Sequence, residues 1–458
     1  MTMWNPLLDA FPGPRYRAIA DALERDLQTG RLPSGTRLPT HRELADRLGV
    51  TVGTVTRGYA EAARRGLLRG ETGRGTFAGT DSQSERCFEH PEDGANEAVD
   101  MGMNLPLHHL DPDLSSTFQK LSSQCDLQSS LRYYPSRGKF QDRELGVEWL
   151  REHHLLSSAT DRVLITAGGQ HALTVILSAA FRPGDALAVE RLSYPLIKTL
   201  ARRFNLRLVP IEMDAEGMLP DALESACKQH TLHGIYCMPG TQNPTTGCMG
   251  EERRRALCKV VQQQRLLIVE DDAYALLNPS PQTPLSAACP ELGFYIASFS
   301  KPVTPGLRFA YLSAPEGYVK RLEHAIADTL WMASPLAARI AREWILDGTA
   351  VATIQRKREE SRARNLLCRQ LLPGVNLRSC DTGYFVWVEL PEHWNATDFA
   401  RQASEHRVIV TPIEHYRMSR DRAQCEAVRV AISGPESREQ LQQGLKIIHG
   451  LLQQPEFV

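Results

Sequence analysis

The chain has 458 residues, more than one hydrophobic core usually supports, so we expect at least two domains. Its hydrophobic fraction of 42%, charged fraction of 23% and net charge of -1 are typical of globular proteins and exclude a disordered or fibrous chain. The sequence contains no apolar run of about 18 residues and no leader-like N-terminus, so we expect a cytoplasmic protein with no membrane partner.

Charge and cysteine positions narrow the possible partners. The first 80 residues hold twelve Arg and no Lys against eight acidic residues, whereas the rest holds 41 basic and 46 acidic residues. A polyanion would therefore bind the N-terminal part, although a solvated helix face explains the same excess. The ten cysteines show no C-x-x-C pairs and no paired His spacing, so we expect no metal site.

The first 79 residues, which we call the head, contain signals for three helices and a hairpin. Apolar residues at helical spacing predict a helix over residues 14–28. Thr40 and Glu43 form a capping box that begins a second helix, and Gly49 ends it. Thr51 caps a third helix, and residues 67–77 predict a small β-hairpin. This order, mainly α with a β wing, is typical of a winged helix-turn-helix.

A winged helix-turn-helix places its second helix in the major groove of DNA, while the first helix and the wing contact phosphates. Two helices without any DNA-binding role would give the same pattern. If DNA binds, we expect base contacts from the start of the third helix and backbone contacts from arginines around it. The expected residues are Thr51, Gly53, Thr54 and Arg57 for the helix, and Arg42, Arg47 and Arg74 for the backbone.

Residues 80–99 are rich in Ser, Glu, Asp and Gly without apolar periodicity, which predicts a flexible linker. Residues 100–458, which we call the body, alternate strand-like and helical segments. The strand-like runs are residues 163–166, 186–190, 234–238, 266–270 and 293–298. This alternation predicts an α/β domain with a largely parallel central sheet.

The segment of residues 298–308, SFSKPVTPGLR, follows one of these strands. Pyridoxal 5′-phosphate (PLP) chemistry requires a lysine that forms a Schiff base, and hydroxyl and guanidinium groups that hold a phosphate dianion. Lys301, Ser298, Ser300 and Arg308 supply these groups. Because a lysine among serines and prolines is also common in solvated loops, this segment alone does not decide the function.

Three other segments supply the remaining groups of a PLP site. Asp271 follows a buried strand, where its carboxylate could keep the pyridine nitrogen protonated. Tyr274 and Asn243 could each donate a hydrogen bond to the cofactor 3′-oxygen. Gly169 and Gln170 lie where a strand meets a helix, so helix N-terminal amides could bind the phosphate.

Four motifs run through residues 14–79: Tyr16 with Ile19, and then residues 30–45, 49–55 and 73–77. They match Y-x-x-I, G-x-L-x-x-G-x-x-L-P-[ST]-x-R-x-L-A, G-V-[ST]-x-x-T-V and a G-x-G-T-[FY] wing, so the head resembles the DNA-binding domain of the GntR family. One departure is Val52, because the family usually has Arg after the Ser or Thr that begins the recognition helix. Gly53 is also expected to cost about 1 kcal/mol of helix propensity.

The motifs of the body occur in the order of fold-type I PLP enzymes of the aminotransferase class I/II family, which residues 100–458 resemble. The resemblance implies that Tyr194 stacks on the pyridine ring and that Tyr134 reaches the phosphate of the neighbouring subunit of a homodimer. It also implies that Arg429 binds a substrate carboxylate, a role suited to its guanidinium fork.

A GntR-like head joined to an aminotransferase-like body resembles the MocR subfamily of PLP-dependent transcription regulators. The resemblance implies a dimer whose body senses a small amine or amino-acid-like effector through the Schiff base of Lys301 and changes how the heads engage operator DNA. Two alternatives remain open at this point. One is an active PLP-dependent aminotransferase with an attached DNA-binding head, and the other is a structural PLP domain without effector chemistry.

Overall fold

The computed structural model describes residues 4–454 apart from residues 7, 9–10, 12, 30, 33–35, 66, 72–74, 79–97, 125–126, 281 and 420–424. The chain divides into two compact units, Met1–Ala95 and Asn96–Val458, which are described separately. Of the linker predicted at residues 80–99, only Ala98 and Val99 are described. Val99 already lies in a strand of the body, so regular structure begins one residue earlier than predicted.

Three helices and a hairpin form the head, as the sequence predicts. The helices are α1 (Arg15–Gln28), α2 (His41–Leu48) and α3 (Val52–Arg64). The hairpin pairs strands β1 (Leu68–Glu71) and β2 (Gly75–Ala78) in antiparallel register. The buried sides of the three helices meet in one apolar core, in which Ile19, Leu44 and Val55 are fully buried.

Local side-chain chemistry sets the helix ends of the head. Thr40 Oγ1 accepts from the Glu43 amide at 3.3 Å, and the Glu43 carboxylate accepts from the Thr40 amide at 2.8 Å. Gly49 ends α2 with a φ of 62°, a left-handed conformation that glycine adopts without strain. The predicted capping box and helix stop are therefore confirmed.

The body contains fifteen strands and twelve α-helices among its described residues. The strands are β3 (Val99–Asp100), β4 (Val163–Thr166), β5 (Ala186–Glu190), β6 (Arg207–Ile211), β7 (Met213–Asp214), β8 (Gly217–Met218), β9 (Leu232–Cys237), β10 (Leu267–Asp271), β11 (Gly293–Ser298), β12 (Ala310–Ser313), β13 (Leu377–Ser379), β14 (Phe385–Glu389), β15 (Val408–Ile409), β16 (Thr411–Pro412) and β17 (Ala427–Ala431). The helices are α4 (Leu114–Gln124), α5 (Phe140–His154), α6 (Gly169–Ala180), α7 (Leu196–Arg203), α8 (Pro220–Gln229), α9 (Glu251–Gln264), α10 (Leu285–Ala288), α11 (Val319–Leu330), α12 (Pro335–Leu346), α13 (Thr349–Leu371), α14 (Ala396–Glu405) and α15 (Arg438–Leu452).

The central sheet of the body has seven strands in the order β4-β12-β11-β10-β9-β5-β6. β12 pairs antiparallel with both of its neighbours, and the other pairings are parallel. The largely parallel sheet predicted from the sequence is therefore confirmed, with two of the five predicted strands shifted by one or two residues. Because six strands point the same way, their carboxyl ends lie along one edge of the sheet.

A second sheet, in the order β13-β14-β17-β16, forms the C-terminal part of the body. The chain enters the body through β3, which pairs in parallel with β15 beside this sheet. We call residues 100–111 the entry segment; it begins at the last residue of β3. Within the described residues, no helix is long and apolar enough to cross a membrane.

Candidate cofactor, effector and DNA sites

The carboxyl edge of the central sheet carries most of the cofactor residues predicted from the sequence. Each lies at the end of a parallel strand, in the loop that follows or in the first turn of the next helix: Gly169 and Gln170 after β4, Tyr194 after β5, Asn243 after β9, Asp271 at the end of β10, and Ser298 to Lys301 at the end of β11. The strand order brings these separate segments to the same edge of the sheet.

Lys301 lies in the turn after β11, and its side chain is half-buried. Its Nζ donates to the main-chain oxygen of Asn104 at 2.5 Å, and the Tyr384 hydroxyl donates to the Lys301 carbonyl at 3.0 Å. Burial, followed by the positive charges of Arg429 and Arg308, lowers the pKa of Lys301 to about 8. A larger share of the amine is therefore neutral and nucleophilic near neutral pH than in an ordinary lysine.

Asp271 is buried at the end of β10, and its Oδ2 accepts from the Tyr236 hydroxyl at 3.0 Å. Burial raises the pKa of this carboxyl to about 6, whereas the Tyr236 hydrogen bond lowers it. The group remains mostly ionised at neutral pH and can pair with a protonated ring nitrogen. Tyr236 was not predicted from the sequence; its signal is a tyrosine inside the otherwise apolar run of residues 234–238, which belongs to the strand next to β10.

The Tyr274 hydroxyl accepts from Asn104 Nδ2 at 2.7 Å, and Asn104 Oδ1 accepts from the Ser433 hydroxyl at 3.1 Å. Asn104 is itself buried and belongs to the entry segment. Sequence analysis missed Asn104 because nothing in the local pattern distinguishes it from other asparagines near strand ends. It contacts both Lys301 and Tyr274, so it lies at the centre of the site.

Arg429, on β17, is buried and is held by neutral groups. Its Nη1 donates to Asn243 Oδ1 at 3.0 Å, and its Nη2 donates to the Gly102 carbonyl at 2.6 Å. Its Nε has no hydrogen-bond partner among the described residues. The rings of Phe385 and Tyr416 lie 5.5 Å and 5.2 Å from the guanidinium. A buried guanidinium with a free donor is suited to an anionic ligand.

Two glycines, two serines and an arginine lie close together where α6 begins. Arg308 Nη1 donates to Ser300 Oγ at 3.3 Å, and a Cβ added to Gly168 would lie 2.7 Å from Arg308 Nη2. A Cβ added to Gly169 would lie 3.3 Å from the Ser298 Cβ. The two glycines therefore let the amides at the start of α6 approach the serines and Arg308, an arrangement that suits a phosphate. We call these five residues the phosphate pocket.

Three further residues were predicted to contact the cofactor, and each has a different environment in the structure. Tyr194 is half-buried and packs against the apolar cluster that contains Tyr236 and Tyr274. Gln170 is exposed at the start of α6. The Tyr134 hydroxyl donates to the Ser129 carbonyl at 2.5 Å, and Lys139 Nζ lies 3.7 Å from its ring centre. The roles predicted for these three residues toward the cofactor stay predictions.

The predicted DNA-contacting residues of the head are mostly exposed. Arg42, Arg47, Gly53 and Arg57 are exposed, and the Arg57 guanidinium lies 5.7 Å from the Tyr16 ring. Arg74 lies outside the described residues.

The two threonines at the start of α3 are already bonded to each other. Thr51 Oγ1 accepts from the Thr54 amide at 3.2 Å and lies 2.9 Å from the Thr54 hydroxyl. Thr54 is also only half-exposed. This pairing uses only part of the hydrogen-bonding capacity of the Thr54 hydroxyl. The base contacts predicted from the sequence stay predictions.

Comparisons with known proteins agree with both units. The family described as "Bacterial regulatory proteins, gntR family" matches residues 15–78, and the family described as "Aminotransferase class I and II" matches residues 97–448. HTH-type transcriptional regulator YdeF of Bacillus subtilis (strain 168) is 31% identical over 98% of this chain and 96% of its own. Vitamin B6 salvage pathway transcriptional repressor PtsJ of Salmonella typhimurium is 27% identical over 84% of this chain and 88% of its own.

Solved structures resemble the body. An archaeal alanine:glyoxylate aminotransferase superposes with a TM-score of 0.73 at 23% identity, covering 86% of this chain and 98% of that one. LysN, the α-aminoadipate aminotransferase of Thermus thermophilus, has a TM-score of 0.70 at 23% identity over the same shares. These likenesses show the fold-type I aminotransferase fold of the body.

Fold and sequence together define a GntR-type transcription regulator whose DNA-binding head is fused to an aminotransferase-like domain. The relatives that match across both units are themselves described as transcription regulators. The chain therefore belongs to the MocR subfamily of the GntR family.

Proposed function

We propose that the body binds PLP and senses an amine or amino-acid-like effector, and that this sensing changes how the heads engage operator DNA. The convergence of Lys301, Asp271, Tyr274 and the phosphate pocket along one sheet edge carries the proposal. When bound, PLP supplies a carbonyl carbon that reacts reversibly with primary amines.

Each group of the site has a role that suits this cofactor. Lys301, with its pKa lowered to about 8, would supply the neutral amine. The Asp271 carboxylate would accept a hydrogen bond from the protonated ring nitrogen, and the Tyr236 hydroxyl would hold that carboxylate in place. Tyr274 would bond the 3′-oxygen, while Arg308, Ser300 and the start of α6 would hold the phosphate.

Arg429 would determine the class of effector. Its buried guanidinium is bonded to a side-chain amide and a main-chain carbonyl, both neutral, and its Nε lacks a partner among the described residues. A carboxylate offers the paired acceptors that a guanidinium fork prefers. The effector is therefore expected to carry both a primary amine and an anionic group.

The entry segment offers a route from the site to the linker. Lys301 Nζ can donate to Asn104 only while it is not bonded to the cofactor, so an effector that displaces it would restore this hydrogen bond. An effector anion on Arg429 would compete with the Gly102 carbonyl. Effector binding would therefore change two hydrogen bonds that hold the segment following the linker, which supplies the differential contacts that coupling requires.

A homodimer would place two heads on an operator with two half-sites. An exposed apolar cluster supports this state: Leu131, Tyr133 and Trp331 are exposed, and the rings of Tyr133 and Trp331 lie 5.8 Å apart. The cluster adjoins Tyr134, which by resemblance serves a second subunit. Sedimentation of the wild type and of Trp331→Asp would test the dimer, which the variant should weaken.

Active transamination is the second candidate, because Lys301, Asp271, Tyr274 and Arg429 are all present in one site. It would be tested by mixing the PLP-loaded protein with amino acids and measuring amino transfer to a keto acid. Sustained turnover would favour this candidate, and effector binding without turnover would favour the regulator.

The coupling is tested by titrating PLP-loaded protein with a panel of α-amino acids, ω-amino acids and simple amines, followed by the visible spectrum. The titrations are repeated with saturating operator DNA and with scrambled DNA of equal length. Because coupling is reciprocal, the operator should change effector affinity by the factor by which the effector changes operator affinity, typically about 5- to 150-fold. Equal effector affinities with operator and scrambled DNA would contradict the proposal.

A further inference from the structure

The first residue of the recognition helix is an exposed valine. Val52 begins α3 and is 43% exposed, whereas Val55, one turn later, is fully buried in the head core. The packing of the head therefore explains Val55 but not Val52. An exposed aliphatic side chain at this position is available to a partner surface.

Gly53, the next residue, is not required by the fold of the head. Its backbone is helical, and a Cβ added there would meet, among the described residues, only Thr51 Oγ1 at 3.8 Å. Alanine would fit and would favour the helix. A glycine where nothing in the protein excludes a side chain suggests close approach by an external surface.

The hydroxyl groups around Val52 are already engaged. Thr51 and Thr54 bond each other, and the Thr56 hydroxyl donates to the Val52 carbonyl at 3.0 Å. His41 Nδ1 lies 3.0 Å from the same Thr56 oxygen. These bonds use part of the hydrogen-bonding capacity of the hydroxyls at the start of α3, whereas the exposed Val52 side chain can make only apolar contacts.

We propose that Val52 contacts the 5-methyl group of a thymine in the major groove, and that Gly53 permits the approach. The inference rests on DNA binding by α3 in its groove-facing orientation. Among the base edges exposed in the major groove, the thymine methyl is the apolar feature, so it is the feature that an aliphatic side chain can distinguish. Val52 then supplies sequence preference where the family usually has an arginine.

The test begins with selection of operator DNA from a randomised duplex pool by the full-length, PLP-loaded protein. Each thymine of the selected operator is then replaced by deoxyuridine, which lacks only the methyl group. Burial of one methyl group corresponds to about a fourfold change in affinity. We therefore expect one thymine per half-site at which the replacement weakens wild-type binding by about fourfold.

Matched variants test whether Val52 is the residue that contacts the methyl group of this thymine. Val52→Ala should discriminate less between thymine and deoxyuridine operators at this position, because it removes the two Cγ methyl groups of the contact and leaves only Cβ. Val351→Ala in α13 removes the same groups from a valine that is 44% exposed, and it should retain the wild-type discrimination. Gly53→Ala should weaken operator binding without lowering the thermal stability of the head.

Three outcomes would overturn the inference: no deoxyuridine-sensitive position, undiminished discrimination in Val52→Ala, or full affinity in Gly53→Ala. If the operator is bound tightly and one of these outcomes is found, the contact of Val52 is refuted but the DNA-binding function is not. Failure to select any sequence would instead count against both DNA recognition and this contact.

Discussion

Lys301 Nζ donates a hydrogen bond to the main-chain oxygen of Asn104, which lies 197 positions earlier in the chain. Asn104 uses its side chain to bond Tyr274 and Ser433 at the same time. The segment through which the chain enters the body is therefore part of the proposed cofactor site. A change in the hydrogen bond of Lys301 Nζ would therefore directly change a contact of this segment.

Lys301→Ala is expected to abolish covalent PLP binding, because the attacking amine is removed. Wild type and variant would be mixed with PLP and reduced with borohydride, and the mass of the intact chain would be measured. Lys320→Ala, which removes an exposed lysine of α11, is the control and should gain one cofactor like the wild type. A reduced adduct on Lys301→Ala would refute the assignment.

The rate of PLP capture should rise with pH around the lowered pKa of Lys301, which is about 8. Only the neutral amine attacks, so the rate should increase from pH 7 to 9 and then level off, well before an ordinary lysine would. The ratio of this rate to that of free Nα-acetyl-lysine amide removes the ionisations of PLP itself. The ratio should fall between about pH 8 and 10, where the reference lysine still gains neutral amine and Lys301 no longer does. A ratio that stays constant with pH would show that the lysine is unperturbed.

Arg429→Gln should weaken binding of amino-acid effectors by roughly 10- to 100-fold, the range expected for losing a hydrogen-bonded charge partner. The corresponding decarboxylated amine has no carboxylate for Arg429 to bind, so it should bind the wild type and the variant with equal affinity. Spectral titration of the PLP-loaded proteins provides the measurement. Equal losses for the two ligands would mean that Arg429 does not recognise the anionic group.

Lys357→Met is expected to lower the free energy of unfolding of the body by about 2 kcal/mol, because it removes a buried cation that is hydrogen-bonded to half-buried Asp111. Lys357 is fully buried, and its Nζ donates to Asp111 Oδ1 and to the Val303 carbonyl, each at 2.6 Å. Lys120→Met breaks pairs with Glu343 and Asp347 in which the lysine itself is solvent-exposed, so it should cost clearly less. Denaturant titration that finds equal costs would contradict this difference.

Arg42→Ala should weaken binding to all DNA sequences by a similar factor and reduce the slope of log affinity against log salt by about 1. The reason is that a phosphate contact releases counterions without distinguishing bases. Arg182→Ala, on an exposed position of the body, is the control. A change of sequence preference with an unchanged salt slope would instead indicate a base contact by Arg42.

The sequence by itself determined the local structure and the identity of most chemical groups. The Thr40–Glu43 capping box and the stop at Gly49 depend on contacts within a few residues, so the pattern alone predicts them. The same holds for the segment around Lys301, whose serines and arginine lie within eight positions of it. Spacing along the chain sufficed wherever the interacting groups are neighbours in sequence.

Only the tertiary structure decided which distant groups meet. The pairing of Asp271 with Tyr236 depends on β9 lying next to β10, and the bond from Arg429 to Gly102 joins residues 327 positions apart. Neither periodicity nor capping specifies the order of strands in a sheet, because that order depends on how whole helices and strands pack. Asn104 has no local signal for this reason, and the structure alone placed it between Lys301 and Tyr274.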